Sequence, residues 1–280
     1  SYRCQNYLRK PIIPIHKVIT PVRKVKMNKN TFISMSTNLG VDTSINRQML
    51  VDKFDIVHNN VECAHDPAEI LYLANHALYN QNIPGPIFEF GSYKGGMTCK
   101  LSHVAKLLNK ELIIFDTFMG LLEDATYTKQ DNIKDDSYII NNFTTGMFAG
   151  SMREVDTNLN NYGEISPCGY YPGDAKESIL QYNIDPFLAF IDVDNIPTMK
   201  YLIKNLWNRI QSGLIFFHES CLVETGQELY SDSFKQELGK NNVLLGHIFY
   251  GTQYSLPNTD CLNFIAKENV QLGQIFLNHF

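Results

Sequence analysis

Six side chains able to do acid–base or metal chemistry fall at or just past the ends of apolar runs: Glu89, Asp116, Asp192, Asp194, His218 and Glu219. The first belongs to Ile87-Phe88-Glu89-Phe90, which runs into Gly91-Ser92-Tyr93-Lys94-Gly95-Gly96. An apolar run, a glycine turn and then a helical pattern describe a buried strand feeding a turn that binds a nucleotide-like ligand. Glycines at 91, 95 and 96 do not have the G-x-G-x-x-G spacing of a dinucleotide site. A carboxylate at 89 repels a pyrophosphate but suits a ligand carrying an amino group, which favours S-adenosylmethionine over NAD. A purely structural glycine turn is the competing reading, because short motifs match by chance.

Asp116 ends the next apolar run, 21 residues beyond Gly95. That is the separation at which an acid reaches a pair of ribose hydroxyls. The second group of residues follows two later runs. Asp192 and Asp194 close 187–194, and His218 and Glu219 close 213–219. Neighbouring strands lie under about 5 Å apart, so these side chains can converge. Carboxylates and an imidazole held together would repel or shift one another's pKa, and a divalent cation between them removes that conflict. Imidazole suits Mn²⁺, Fe²⁺ or Zn²⁺ better than Mg²⁺. Three other readings stay open for His218: it turns away from the metal, it is the base of a metal-free site, or it caps a strand end.

The elements that must position these groups follow in order. Leu101, Val104, Leu107 and Leu108 give 95–110 one apolar face, so strand, turn, helix, strand and acid form a βαβ unit. Asp66-Pro67-Ala68-Glu69 predicts a helix start, with Asp66 as N-cap, running to about residue 81. Further helices are expected at 151–162, 175–181, 198–210 and 224–238, and strands at 165–171, 242–250 and 260–267. Asp174 is open to two roles, a partner for an adenine amino group or the N-cap of the helix after it. The polar stretch 123–142 reads as a lid. Residues 31–60 carry no clear pattern.

In these motifs the chain resembles class I methyltransferases of the macrocin O-methyltransferase type. The similarity lies in Pro84-Gly85, Glu89, Gly91, Tyr93-Lys94-Gly95-Gly96 and Asp116-Thr117-Phe118-Met119-Gly120-Leu121. It continues through Glu154-Val155, Asn158-Leu159, Tyr162-Gly163 and Gly169-Tyr170-Tyr171 to Asp192-Val193-Asp194. The resemblance covers roughly 80–220 and implies an α/β, Rossmann-like fold: a mostly parallel seven-stranded sheet, helices on both faces and an antiparallel closing strand. It implies S-adenosylmethionine held by Glu89, Gly91, Ser92, Tyr93, Asp116, Thr117 and Asp174. It implies Mg²⁺ on Asp192, with His218-Glu219 where the family has an Asp-Asp pair, and Asp194 as base; His218 is the second candidate base on chemistry alone.

With 280 residues the chain has room for one such domain and additions, drawn as a basic extension over 1–60 and a methyltransferase domain over 61–280 with an insertion near 122–148. Residues 1–30 hold eight Lys or Arg and no acid. This arm is expected to dock on the acidic body or on a second subunit, making a homo-oligomer. Nucleic acid is a weaker expectation, since only Tyr2 and Tyr7 could stack. Six cysteines without C-x-x-C pairing read as free thiols of a reducing cytosol. Neither a membrane span nor a secretory signal is expected. The expected activity is O-methylation of a hydroxyl on a sugar or other small natural product. N-methylation, a cephalosporin-hydroxylase-like relative and a non-catalytic cofactor-binding subunit are the alternatives.

Overall fold

The computed structural model describes residues 27–122, 145–218, 228–229, 231–239, 243–250 and 261–267. Residues 1–26 of the basic arm, the expected lid over 123–142 and Glu219 lie outside them. The chain order is α1 (Lys29–Ser34), α2 (Ser44–Asn60), α3 (Glu69–Tyr79), β1 (Ile87–Phe90), α4 (Gly96–Leu108), β2 (Leu112–Asp116), α5 (Met152–Tyr162) and β3 (Cys168–Pro172). Then come α6 (Ala175–Ser178), extended by a 3₁₀ turn (Ile179–Gln181), β4 (Leu188–Ile191), α7 (Ile196–Trp207), β5 (Leu214–Phe217), α8 (Asp232–Leu238), β6 (Val243–Tyr250) and β7 (Cys261–Lys267). Among the described residues no helix is long and apolar enough to cross a membrane.

One seven-stranded sheet runs β3-β2-β1-β4-β5-β7-β6. The five strands from β3 to β5 are parallel. β7 closes the sheet antiparallel to both β5 and β6. This is the mostly parallel sheet with an antiparallel closing strand that the resemblance implies. β1, β2, β4 and β5 are covered by packing on both faces, and a strand buried on both faces reads as a near-continuous apolar run, whereas β3 is only half-buried. Alternation then sorts side chains between two cores. Ile87, Ile114, Phe190 and Phe216 face α1 to α5, whereas Phe88, Phe115, Ile191 and Phe217 face α6, α7 and α8. Each buried Phe, Leu or Ile stabilises the fold by about 1.5–3 kcal/mol relative to exposure.

Residues 31–60, unreadable in sequence, build α1 and α2 and continue the first core through Phe32, Leu50, Val51, Phe54 and Val57. Arg47 fastens them. Its guanidinium donates to Asp42, to the Phe32 carbonyl and to Asn75 Oδ1 on α3, and it is fully buried. α3 begins two residues later than the Asp66-Pro67 signal suggests, with Ala68 rather than Asp66 at the N-cap position. Asp66 Oδ1 accepts from Ala68 N–H at 2.8 Å, a local turn, and the helix starts at Glu69 with no side-chain cap. That turn presents His65 and Glu69 toward the carboxyl ends of the strands. Two other helices carry side-chain caps: Ser151 accepts from Glu154 N–H at the start of α5, and Asn195 from Thr198 N–H, so that α7 starts at Ile196 rather than at 198.

Candidate active site

The strand order reverses between β1 and β4: β2 and β3 lie on one side, β5 on the other. In open α/β sheets the crevice outside the carboxyl ends at this point takes the ligand. The chain leaves the sheet there in steps. Gly91 N–H donates to Phe115 O, Asp192 N–H to Phe90 O, and His218 N–H to Ile191 O. Glycine is required at 91. Its φ is +88°, and a Cβ would stand 1.8 Å from the Asp192 carbonyl oxygen.

The rest of the turn is held from outside. Tyr93 adopts φ +49° and Gly95 φ +88° before α4 begins. Tyr93 OH donates to Glu62 Oε1 at 2.6 Å and Lys94 Nζ to Glu62 Oε2 at 2.5 Å. Asn158 of α5 donates to Lys94 O. Gly96 packs against Cys63, where a Cβ would approach Cys63 Cβ to 2.5 Å. Segment 62–65 is therefore a wall over the turn. The Cys63 thiol sits 3.7 Å from Lys100 Nζ and 3.5 Å from His65 Nδ1. Burial would raise its pKa, but the Lys100 ammonium and His65 bring it down to about 7. Cys63, Cys99 and Cys168 are free thiols.

Asp116 grips the turn. Its Oδ2 accepts from Ser92 N–H at 2.5 Å and Ser92 Oγ at 2.9 Å, and its Oδ1 accepts from Phe118 N–H at 2.6 Å. Thr117 Oγ donates to Gly120 O, closing its own turn. Asp174 caps α6, accepting from Lys176 N–H at 2.8 Å, so the capping role is present. Leu121 N–H donates to Met147 O and Gly146 N–H to Leu121 O, so both described ends of the 122–148 insertion meet beside Asp116 and Thr117.

Glu89 is fully buried on β1, between Ile114 and Phe190. Its carboxyl oxygens make no well-formed hydrogen bond, and the neighbouring Thr98 hydroxyl offsets their burial only in part. Burial pushes its pKa up to about 8. A carboxyl whose folded pKa is raised contributes stability that is full below the ordinary carboxylate range and lost as pH rises toward 8. Glu89→Gln should therefore unfold less readily than wild type at pH 8, by about 1–3 kcal/mol, with a smaller difference at pH 5. Urea unfolding at both pH values checks this; a variant no more stable at pH 8 would contradict a buried, neutral carboxyl.

The second group is denser than the sequence implies. His65 Nε2 donates to Asp192 Oδ2 at 2.9 Å. His218 Nδ1 lies 3.5 Å from Asp192 Oδ1, and His218 Nε2 lies 3.4 Å from Glu69 Oε1. The two imidazoles cross nearly perpendicular, with centroids 5.0 Å apart. All four side chains are largely covered, at 8 %, 19 %, 4 % and 0 % exposure for His65, Asp192, His218 and Glu69. Burial opposes every charge here, yet proximity wins. His65 and His218 hold the Asp192 carboxyl below its usual range, Asp192 raises His65 well above its own, and His218 lowers Glu69.

The structure thus brings Asp192 and His218 together and supplies His65 and Glu69 as partners that the sequence reading missed. A signal existed: Cys63, His65, Asp66 and Glu69 crowd four reactive side chains into seven positions. Asp194 lies three residues past the end of β4, in the left-handed backbone region with φ +50°.

No protein-family model matches the sequence, and no curated protein matches it. Among solved structures it is similar to the O-methyltransferase NovP, with a TM-score of 0.52 and 15% identity over 80% of this chain and 81% of that one. The calicheamicin methyltransferase CalS11 aligns at TM-score 0.48 and 17% identity, covering 79% and 92% of the two chains. The O-methyltransferase TomG from Streptomyces achromogenes, in complex with S-adenosylmethionine, aligns at 0.47 and 13%, covering 78% and 89%. The likeness to NovP is one of fold.

Proposed function

We propose that this chain is an S-adenosylmethionine-dependent methyltransferase acting on a hydroxyl of a small molecule, a sugar or other natural product. One observation carries the reading: the glycine turn and the acid–imidazole cluster meet at a single point, where Gly91 abuts the Asp192 carbonyl. A methyl donor held on the turn would have its reactive end beside groups able to receive a proton. The fold shared with an O-methyltransferase supports the same reading.

On the donor side, Glu89 is suited to an amino group, Asp116 to ribose hydroxyls, and the Ser92–Tyr93 backbone to the carboxylate end. Thr117 and Asp174 border the adenosine end. In the reaction, the substrate oxygen attacks the methyl carbon as the carbon–sulfur bond breaks. S-adenosylhomocysteine leaves, and the hydroxyl proton passes to Asp194, whose backbone has left the strand. Most of the remaining acceleration comes from holding the two reactants in line. The cluster fits a divalent cation, because Glu69 Oε2 is buried without a hydrogen-bond partner and two carboxylates stand within one group. When bound, such a cation lowers the pKa of the attacking hydroxyl.

The test is transfer of a labelled methyl group from S-adenosylmethionine to a panel of sugar and polyketide hydroxyl acceptors, compared with amine acceptors. Label on oxygen supports the reading. Transfer to amines alone, or none to any acceptor by a donor-bound chain, overturns it.

A further inference from the structure

We infer that His65, Glu69 and His218 form a binding site for a borderline first-row cation of the Zn²⁺, Co²⁺, Fe²⁺ or Mn²⁺ kind. The inference gives the cation of the proposed transfer its ligands, and its role in catalysis rests on that reading. The binding itself does not.

The ligands come from two places. His65 and Glu69 flank the turn that starts α3, and His218 follows β5. Their ligand atoms lie within 4.8 Å of one another. The turn at Asp66-Pro67-Ala68 sets the separation between the first two, since Asp66 Oδ1 accepts from Ala68 N–H and the helix begins only at Glu69. Had the helix begun at Asp66, His65 would precede a cap instead of facing the strand ends. Glu69 adds the buried oxygen that the protein itself leaves without a hydrogen bond, and such an atom costs about 1–3 kcal/mol unless something meets it.

Asp192 has a supporting role. It touches both imidazoles, through Oδ2 at 2.9 Å and Oδ1 at 3.5 Å. A carboxylate on the ring of a ligating histidine fixes the ring's orientation and raises its basicity. Charge balance agrees: two carboxylates and two neutral imidazoles around one divalent cation sum to zero. Donor chemistry picks the cation class. Two imidazoles and one carboxylate suit borderline first-row metals, whereas Mg²⁺ prefers an all-oxygen octahedron.

The experiment uses the full chain stripped with chelator, without methyl donor. Zn²⁺, Co²⁺, Mn²⁺ and Mg²⁺ are titrated by calorimetry, and Co²⁺ is followed by its visible ligand-field band. We expect one Zn²⁺ or Co²⁺ per chain, bound at least ~10-fold tighter than Mg²⁺. Glu69→Gln and His65→Ala should each weaken Co²⁺ binding by ~100-fold or more, and Asp192→Asn by ~10–100-fold with the band retained. Glu69 is fully buried, so His65→Ala, in the segment before the helix, serves if Glu69→Gln fails to fold. Absence of a Co²⁺ band, Mg²⁺ binding tighter than Zn²⁺, or unchanged affinity in a folded His65→Ala would each overturn the site. Tight cation binding by a chain that transfers no methyl group would overturn the methyltransferase reading and leave the site standing.

Discussion

Gly91→Ala is expected to lose at least about 3 kcal/mol of stability, enough to lower the melting temperature by roughly 10 °C in a chain of this size. Two costs combine. A φ of +88° lies where a side chain meets its own backbone. A Cβ would also sit 1.8 Å from the Asp192 carbonyl oxygen, and that atom is backbone, unable to swing aside as a side chain would. Relief would require β1 and β4 to separate at their carboxyl ends, just where the turn and the acid–imidazole cluster meet. The variant should therefore lose methyl-donor affinity along with stability. Gly173→Ala is the control: φ there is +125°, but no atom lies within 4 Å of its Cβ position, so it bears only the backbone cost. Equal melting temperatures for the two variants would contradict this account of the β1–β4 contact.

Asp194→Asn should lower kcat by ~10²–10⁴ with donor affinity and stability nearly unchanged. Asparagine tolerates the left-handed backbone that Asp194 occupies, so the substitution removes the carboxylate and keeps the turn. Asp194 is favoured over His218 as base because the His218 side chain is 4% exposed and packed between Glu69 and Asp192. The pH profile separates the two. An imidazole base would impose an acidic limb on kcat/KM between about pH 6 and 7, and a carboxylate base would leave that window flat. His218→Ala should instead disturb cation binding and the Asp192 cluster together. Turnover at the wild-type level in Asp194→Asn would remove Asp194 from the mechanism.

Much of the sheet is legible because its strands are buried on both faces. Residues 112–115, 188–191 and 214–217 are unbroken apolar runs and 87–90 is interrupted only by Glu89, and the groups at their ends announce a carboxyl-end crevice. α2 is not legible for a physical reason. Its inward stripe of Leu50, Val51, Phe54 and Val57 begins with Arg47, while Ile45, Met49 and Ile56 are exposed. Arg47 is tolerable inside only because Asp42, Asn75 and the Phe32 carbonyl surround it, and nothing local in the sequence reveals partners on other helices. Glu69 was hidden differently. An acid in the first turn of a helix is explained well enough by the helix dipole, so its approach to His218, far along the chain, leaves no separate trace. Asp174 shows the same ambiguity from the other side, for the capping role visible in sequence is the one its hydrogen bond displays.

The claim at the centre is that the turn after β1 holds S-adenosylmethionine, and calorimetric titration of the full chain tests it most directly. S-adenosylmethionine and S-adenosylhomocysteine should bind saturably, and NAD should not. Asp116→Ala should weaken the methyl donor by about 1.5–3 kcal/mol, roughly 10–150-fold, because the carboxylate proposed to meet the ribose also holds Ser92 in place. No binding of the methyl donor, affinity unchanged in Asp116→Ala, or NAD bound in its stead would contradict it.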